Sequence, residues 1–118
     1  MFKVIIAGTR TFDDYDLLCR YADIKLSMIY EPIEIVSGGA RGADALGERY
    51  AKDRGYELRR FPADWNKYGK RAGYLRNVQM ANYADALLAF WDGKSRGTKN
   101  MIEEATTRGL LVGIKKYK

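Results

Sequence analysis

The 118-residue sequence contains no histidine, and this absence excludes a wide range of chemistry. Without histidine there is no Ser-His-Asp or Cys-His arrangement and none of the usual zinc sites. Cysteine is nearly absent too: Cys19 stands alone, so no disulfide can form within the chain. Its helical setting predicts an ordinary buried position rather than a nucleophile. We therefore expect no metal site, and we assign no cofactor.

Long apolar runs are also missing, since no stretch reaches the roughly 18 residues that cross a membrane. The apolar start, MFKVIIAG, is too short for a signal peptide and is followed by TRTFDD instead of a cleavage site. With 47% apolar residues, the chain can fill one hydrophobic core. We therefore expect a single cytoplasmic domain spanning residues 1–118.

Basic side chains outnumber acidic ones, which gives the chain a formal net charge of +6. The excess lies in the second half: residues 51–118 hold fifteen basic and seven acidic side chains, whereas residues 1–50 hold six basic and eight acidic ones. A basic half favours an anionic partner, either a polynucleotide or a small phosphorylated ligand. A solvated basic surface with no ligand gives the same composition.

Apolar runs alternate with helical patterns along the whole chain. Strands are predicted at 3–7, 33–37, 56–61, 86–90 and 110–114, of which the first, fourth and fifth are apolar enough to be buried on both faces. Helices are predicted over 14–30, 43–54, 72–84 and 98–109. The first helix is predicted to bury a stripe of Leu17, Leu18, Tyr21, Ala22, Ile24 and Met28. This alternation predicts an α/β, Rossmann-like three-layer domain around a mainly parallel sheet of about five strands.

Ligands of such sheets bind at the carboxyl ends of the strands, so the loops that follow the strands predict the site. The loop after the first strand contributes Gly8, Thr9 and Arg10. The loop after the second contributes Ser37, Gly38, Gly39, Ala40, Arg41, Gly42 and Asp44. The loop after the fourth contributes Asp92, Gly93, Lys94, Ser95, Gly97 and Thr98.

The second of these loops, SGGARGAD, is typical of a phosphate site. Its backbone N–H groups can line a concavity, and the helix that begins at Ala43 offers its positive dipole end. A tight strand-to-helix turn needs glycine even without a ligand, but Arg41 favours the phosphate because a guanidinium binds phosphate with two hydrogen bonds. Asp44 could cap the helix or accept from a ribose hydroxyl.

The loop GKSRGT before the fourth helix predicts a second phosphate site, although it matches neither the P-loop nor the dinucleotide motif. In the long connection over 62–73, Trp65 could stack on a base, while Lys70 and Arg71 could follow a phosphate. Trp65 could equally fill the space between this loop and the sheet.

The ordered motifs IIAGTRTF, IVSGGARGADALGERYA and the segment from FPADW to SRGT resemble the YspA-like (YAcAr) branch of the SLOG superfamily. This Rossmann-like group includes the LOG phosphoribohydrolases and the DNA-processing protein A family. The resemblance covers about residues 2–114. It implies a nucleotide or nucleotide-derived ligand at the glycine-rich loops, and it implies a homo-oligomer paired through helices beside the site.

The LOG enzymes carry an R-K-x-x-M helix and a later glutamate, which serve cleavage of an N-glycosidic bond. This chain keeps Arg76 and Met80 but has Asn77 in place of the lysine, and the resemblance places Arg76 and Asn77 at the site. Met101 stands at the position of the glutamate and cannot stabilise a cationic sugar. We therefore expect binding without catalysis, with Glu104 as the strongest substitute carboxylate.

Three functions remain after these observations. The first is a binding module for an ADP-ribose-type or cyclic nucleotide signal, acting as a sensor, a carrier or a sequestering protein; a viral protein that removes a defence signal is one form of it. The second is a nucleoside-monophosphate phosphoribohydrolase or N-glycosidase, using Asp44, Asp64, Asp92 or Glu104. The third is single-stranded nucleic-acid binding. We prefer the first.

Overall fold

Five parallel strands form one sheet in the computed structural model, which describes residues 1–118. The strands are β1 (Phe2–Gly8), β2 (Ile33–Ser37), β3 (Glu57–Arg60), β4 (Ala86–Trp91) and β5 (Leu111–Lys116). Their order across the sheet is β3-β2-β1-β4-β5. The chain therefore builds outward from β1 to β3 and then returns to place β4 on the other side of β1. This reversal puts the topological switch point between β1 and β4.

Four long helices and one short helix connect the strands. They are α1 (Tyr15–Leu26), α2 (Ala43–Arg54), α3 (Trp65–Tyr68), α4 (Ala72–Tyr83) and α5 (Arg96–Thr107), with a 3-10 turn at Gly69–Arg71 between α3 and α4. Asp14 caps α1 by accepting from the N–H of Leu17 at 3.0 Å. Gly109, just past the end of α5, has a φ of +75°, as expected of the glycine that follows a helix.

The sheet is covered on both faces, which confirms the predicted three-layer architecture. On one face α1 and α2 pack over the first core, whose largest buried side chains include Tyr50 and Phe90. On the other face α4 and α5 bury Met80 and Met101 against β1 and β4. β1 and β4 are buried throughout most of their length because each has a strand on both sides and helices above and below.

Three expectations about burial are wrong. β5 is an edge strand, so Leu111 is 67% exposed, and it is β2, between β1 and β3, that is largely buried. Helix α1 ends at Leu26 instead of residue 30, so Met28 lies beyond it and is 75% exposed. Ile24 lies within the helix but on its solvent side, where it is 70% exposed. Cys19 is only partly buried. None of the helices has the length and apolar character needed to cross a membrane.

Candidate functional site

A cleft of about 490 Å³ opens at the carboxyl ends of β1 and β4, at the switch point of the sheet. Of the residues predicted for the site, thirteen line it: Gly8, Thr9, Arg10, Ala40, Asp44, Trp65, Lys70, Arg76, Asn77, Asp92, Ser95, Gly97 and Thr98. A second concavity of about 520 Å³, the outer depression, adjoins the cleft and is lined by Gly38, Gly39, Ala40, Arg41, Pro62 and Ala63 together with Arg10, Trp65 and Arg76. Ser37, Gly42, Arg71, Gly93 and Lys94 line neither.

The β1 loop holds the other loops of the cleft together through Thr9. Its N–H donates to the Phe90 carbonyl at 2.9 Å, and its own carbonyl accepts from the N–H of Ala43 at 3.2 Å. The Thr9 hydroxyl accepts from the N–H of Asp92 at 3.2 Å. Gly8 is required beside it, since an added Cβ would clash with the Phe90 carbonyl. Thr9 is therefore a buried joint between β1, β4 and α2.

The loop after β2 does not present the row of free N–H groups that its glycines predict. The N–H of Gly39 donates to the Ser37 hydroxyl at 3.0 Å, and that of Ala40 donates to the Asp44 carboxylate at 3.2 Å. Side chains of the protein thus take these donors, and the Thr9 carbonyl takes the N–H of Ala43 at the start of α2. Three of the backbone N–H groups predicted to bind phosphate at this loop, those of Gly39, Ala40 and Ala43, are thus already hydrogen-bonded within the protein.

Ser37 and Gly42 have structural positions. Ser37 is fully buried and donates to the Glu48 carboxylate at 2.7 Å. Gly42 has a φ of +74°, and a Cβ there would lie 2.5 Å from the backbone carbonyl carbon of Arg10. The close approach that the glycines predict exists at this turn, but the neighbour is the β1 loop.

Asp44, which is buried, and Arg76, which is half-buried, form one wall of the cleft. Arg76 donates through Nη1 to the Gly38 carbonyl at 2.5 Å and through Nε to the Asn77 side chain at 3.1 Å. Burial raises the pKa of Asp44, although the positive charge of Arg76 acts in the opposite direction. Burial also lowers the pKa of Arg76, and the nearby positive charge of Arg10 adds to that shift. The wall therefore holds two like charges, Arg10 and Arg76, beside one carboxyl whose pKa is raised by burial.

The first turn of α5 forms the opposite side of the cleft, where Gly97 and Thr98 lie. Ser95 caps this helix by accepting from the N–H of Thr98 at 3.4 Å. Asp92 accepts from the N–H groups of Lys94 and Ser95, both at 2.8 Å, and these bonds lower the pKa of Asp92. The helix thus starts inside the cleft with a positive dipole end. Gly93 and Lys94 only complete the turn outside it.

Only two carboxylates line the cleft, Asp44 and Asp92. Met101 is buried and also lines the cleft. Glu104, the predicted substitute for the LOG glutamate, instead pairs with Arg108 at 3.0 Å and lies outside the cleft. Asp64 caps α3 by accepting from the N–H of Lys67 at 3.1 Å. No group of three or more acidic or cysteine side chains is placed to hold a metal ion.

Sequence reasoning missed Thr11, Gly73, Tyr74 and Met80, which also line the cleft. Gly73 lies against the Trp65 ring, since an added Cβ would be 3.3 Å from that ring. The signal available was the AGY stretch at the start of α4, directly after the connection that carries Trp65 and Lys70. Whether this stretch lines the cleft depends on how the connection before it folds.

A profile of the YspA, cpYpsA-related SLOG family (YAcAr) matches residues 2–68, more than half of the chain. The chain belongs to this family. The matched segment includes the β1 loop, the glycine-rich loop after β2 and Trp65. Among curated proteins, the gene 61 protein of Mycobacterium phage D29 is similar over 120 aligned positions at 38% identity, covering 95% of this chain and 94% of the relative.

The fold has a counterpart among solved structures as well. The X-ray structure of TM1055, a structural genomics target, superposes with a TM-score of 0.70 over 95% of this chain and 72% of that protein. The sequence identity is 18%, so this likeness concerns the fold alone. It agrees with the five-stranded, all-parallel three-layer arrangement.

Proposed function

We propose that this member of the SLOG family binds a nucleotide or nucleotide-derived signal in the cleft at the carboxyl ends of β1 and β4. The observation that carries the proposal is the convergence of three cationic side chains, Arg10, Lys70 and Arg76, with the start of α5 on one concave site at the switch point. Membership of a family with a nucleotide-related fold supports the same conclusion.

The electrostatics of the cleft favour an anion. Asp92 is already compensated by two backbone N–H groups, and Asp44 has a raised pKa because it is buried. The cleft thus holds three cationic side chains against two acidic ones, and one of the acidic ones already accepts from the protein's own backbone. A phosphate near the first turn of α5 would receive N–H donors that have no partner within the helix.

The cleft also has a surface for a nucleobase. The Trp65 side chain is 49% exposed and lines the cleft together with Tyr74. Large aromatic side chains are costly to leave in water, and a base that stacks on one contributes roughly 1–3 kcal/mol to binding. Trp65 does not fill the core, so the stacking interpretation is the one that its position supports.

Binding without turnover follows from the chemistry of the lining residues. Cleavage of a glycosidic bond needs a carboxylate placed near the developing positive charge. Met101 offers none, and Asp92 is held by the loop that it caps. Asp44 is the carboxyl that a hydrolase would have to use, so the second candidate function, an N-glycosidase, depends on this residue.

A sensor, a carrier or a protein that sequesters a signal would each need only such a binding site. The similarity to a mycobacteriophage protein favours the sequestering role, in which a viral protein removes a nucleotide signal of host defence. The cytoplasmic location and the homo-oligomer expected above remain predictions.

Calorimetry combined with product analysis tests the proposal. AMP, ADP-ribose and 3′,5′-cyclic AMP are titrated into the protein, and the mixtures are then analysed by chromatography for free base and ribose phosphate. We expect at least one probe to bind with no product released. Lys70→Ala should weaken binding about ten- to a hundredfold, the value of a charge-assisted hydrogen bond.

Lys67→Ala is the matched control, because Lys67 is an exposed lysine on the same connection that does not line the cleft. Equal losses in the two variants would show that general surface charge, and not the cleft, attracts the ligand. Absence of binding by all probes would overturn the proposal. Product release abolished by Asp44→Asn would replace it with the N-glycosidase.

A further inference from the structure

The outer depression differs from the cleft in its charge. Three guanidinium groups line it, those of Arg10, Arg41 and Arg76, and no carboxylate does. The cleft, in contrast, is lined by two carboxylates. The outer depression is therefore the more strongly cationic of the two concavities, although its volume of about 520 Å³ is similar.

Two of these arginines have no hydrogen-bond or ion-pair partner within the protein. Arg41 is exposed and makes no hydrogen bond or ion pair, and the Arg10 guanidinium contacts only the Trp65 ring, 5.9 Å from its centroid. Five other arginines form ion pairs with acidic side chains: Arg20, Arg49, Arg54, Arg60 and Arg108. Arg10 and Arg41 thus keep their hydrogen-bonding capacity for something outside the chain. Arg76 is already held by the Gly38 carbonyl and the Asn77 side chain.

The two concavities are continuous with each other. Arg10, Ala40, Trp65 and Arg76 line both of them, so no separate wall divides the pair. Gly39 adds an open stretch of backbone on the outer side, where an added Cβ would meet no atom within 4 Å. A molecule that fills the cleft can therefore extend past Trp65 toward Arg41.

We propose that the ligand consists of two units joined through phosphate, a nucleotide in the cleft and a second phosphate-linked unit in the outer depression. This inference rests on the proposed function of the cleft. The linking phosphate lies between Arg10 and Arg76, which face both concavities, and the outer unit contacts Arg41 and the outer side of Trp65. A mononucleotide would leave Arg41 unused.

Calorimetry with probes of increasing length tests this inference. The probes are AMP, ADP-ribose, the linear diadenylate pApA and an eight-residue thymidine oligonucleotide. We expect ADP-ribose or pApA to bind about tenfold or more tightly than AMP. Preference for ADP-ribose would identify the outer unit as a phosphate-linked sugar, and preference for pApA would identify it as a second nucleotide.

Variants locate the gain in affinity. Arg41→Ala should weaken binding of the longer probe about tenfold. Its affinity for AMP should stay within about twofold of the wild-type value. Arg20→Ala, which removes an exposed arginine of α1, should change neither affinity, and circular dichroism confirms that both variants are folded.

AMP binding as tightly as the longer probes, or Arg41→Ala weakening AMP to the same extent, would overturn the two-unit ligand and leave the cleft as a mononucleotide site. Failure of every probe to bind would overturn the proposed function and this inference together. Tightest binding of the oligonucleotide would replace the two-unit ligand with single-stranded nucleic acid.

Discussion

At the scale of single residues, the cleft depends on a half-buried arginine, Arg76, and a buried aspartate, Asp44, that are not joined by a direct ion pair. Arg76 donates to the Gly38 carbonyl, while Asp44 accepts from the N–H of Ala40. Each side chain thus fixes a different part of the loop after β2. Burial acts against the charge of both groups, which shifts the pKa of Asp44 upward and that of Arg76 downward.

The raised pKa of Asp44 predicts a particular pH dependence of stability. Folding favours the protonated form of Asp44. Its contribution to the free energy of unfolding is therefore complete below its pKa in the unfolded chain, 3.8, and is lost as the pH rises through its higher pKa in the folded protein. We expect Asp44→Asn to be more stable than the unchanged protein at pH 7, with the difference vanishing below about pH 3.8. Urea unfolding across this range measures it, and a difference that grows toward low pH would contradict the assignment.

Gly38 gives a second prediction at this scale. An added Cβ would lie 2.5 Å from Arg76 Nη1 and 2.8 Å from Asp44 Oδ2, so Gly38→Ala should displace both side chains and lower the free energy of unfolding by about 1–3 kcal/mol. Gly97→Ala is the control, because a Cβ there meets no atom within 4 Å. It should leave stability unchanged or raise it by up to about 1 kcal/mol. Equal destabilisation by both substitutions would show that the close approach of Arg76 and Asp44 is not what requires glycine at position 38.

At the scale of elements, the start of α5 is the most heavily fixed part of the site. Ser95 caps the helix, and its carbonyl accepts from the Trp91 indole N–H at 3.1 Å. Asn77 of α4 donates to the side chain of Asn100 at 2.9 Å and so ties the two helices together. The helix end that faces the cleft is therefore positioned from both neighbouring elements.

Removal of two helix caps separates stability from binding. Ser95→Ala and Asp14→Ala each delete the N-cap of a long helix, and each should lower the free energy of unfolding by about 0.5–2 kcal/mol. Only Ser95→Ala should also weaken nucleotide binding, because α1 begins outside the cleft. Thermal unfolding and calorimetry on both variants check this. Equal nucleotide affinities in the two variants would argue against a role for the start of α5 in binding.

The elements also show what periodicity can and cannot predict. Helix α2 begins and ends at residues 43 and 54, as predicted, because Gly42 and Gly55 bound it with a glycine turn on each side. The burial of β5 was predicted wrongly because an apolar run does not reveal whether a strand has one neighbour or two. Which strand lies at an edge is decided by the order of the whole sheet.

At the scale of the whole molecule, the rule that ligands bind at strand carboxyl ends predicts much of the cleft from the sequence. The loops after β1 and β4 could be assigned from sequence since each follows its strand directly. The contributions of Tyr74 and of the outer depression could not, because they depend on how residues 62–73 fold over the loop after β2. The hydrogen bonds from Gly39 and Ala40 are local, to Ser37 and Asp44, but the glycine pattern alone does not predict them.

The net charge of +6 gives a prediction for the whole surface. A single-stranded polynucleotide that bound along it would lose affinity with a log–log salt slope of about 0.7 for each phosphate contacted. We expect nucleotide binding to show a slope smaller than that of five such contacts, and oligonucleotide binding to be weak at physiological salt. Fluorescence anisotropy at several salt concentrations measures both. Tight oligonucleotide binding with the steeper slope would favour the nucleic-acid alternative.

The most direct test of the central claim is to locate the bound nucleotide by amide chemical shifts. Isotope-labelled protein is titrated with the tightest-binding probe, and shifted amides are assigned along the chain. We predict that the largest changes lie at residues 8–11 and 95–98, on the two sides of the cleft. Changes confined to the exposed β3 edge around Arg59 and Arg60, with the cleft amides unmoved, would contradict the account.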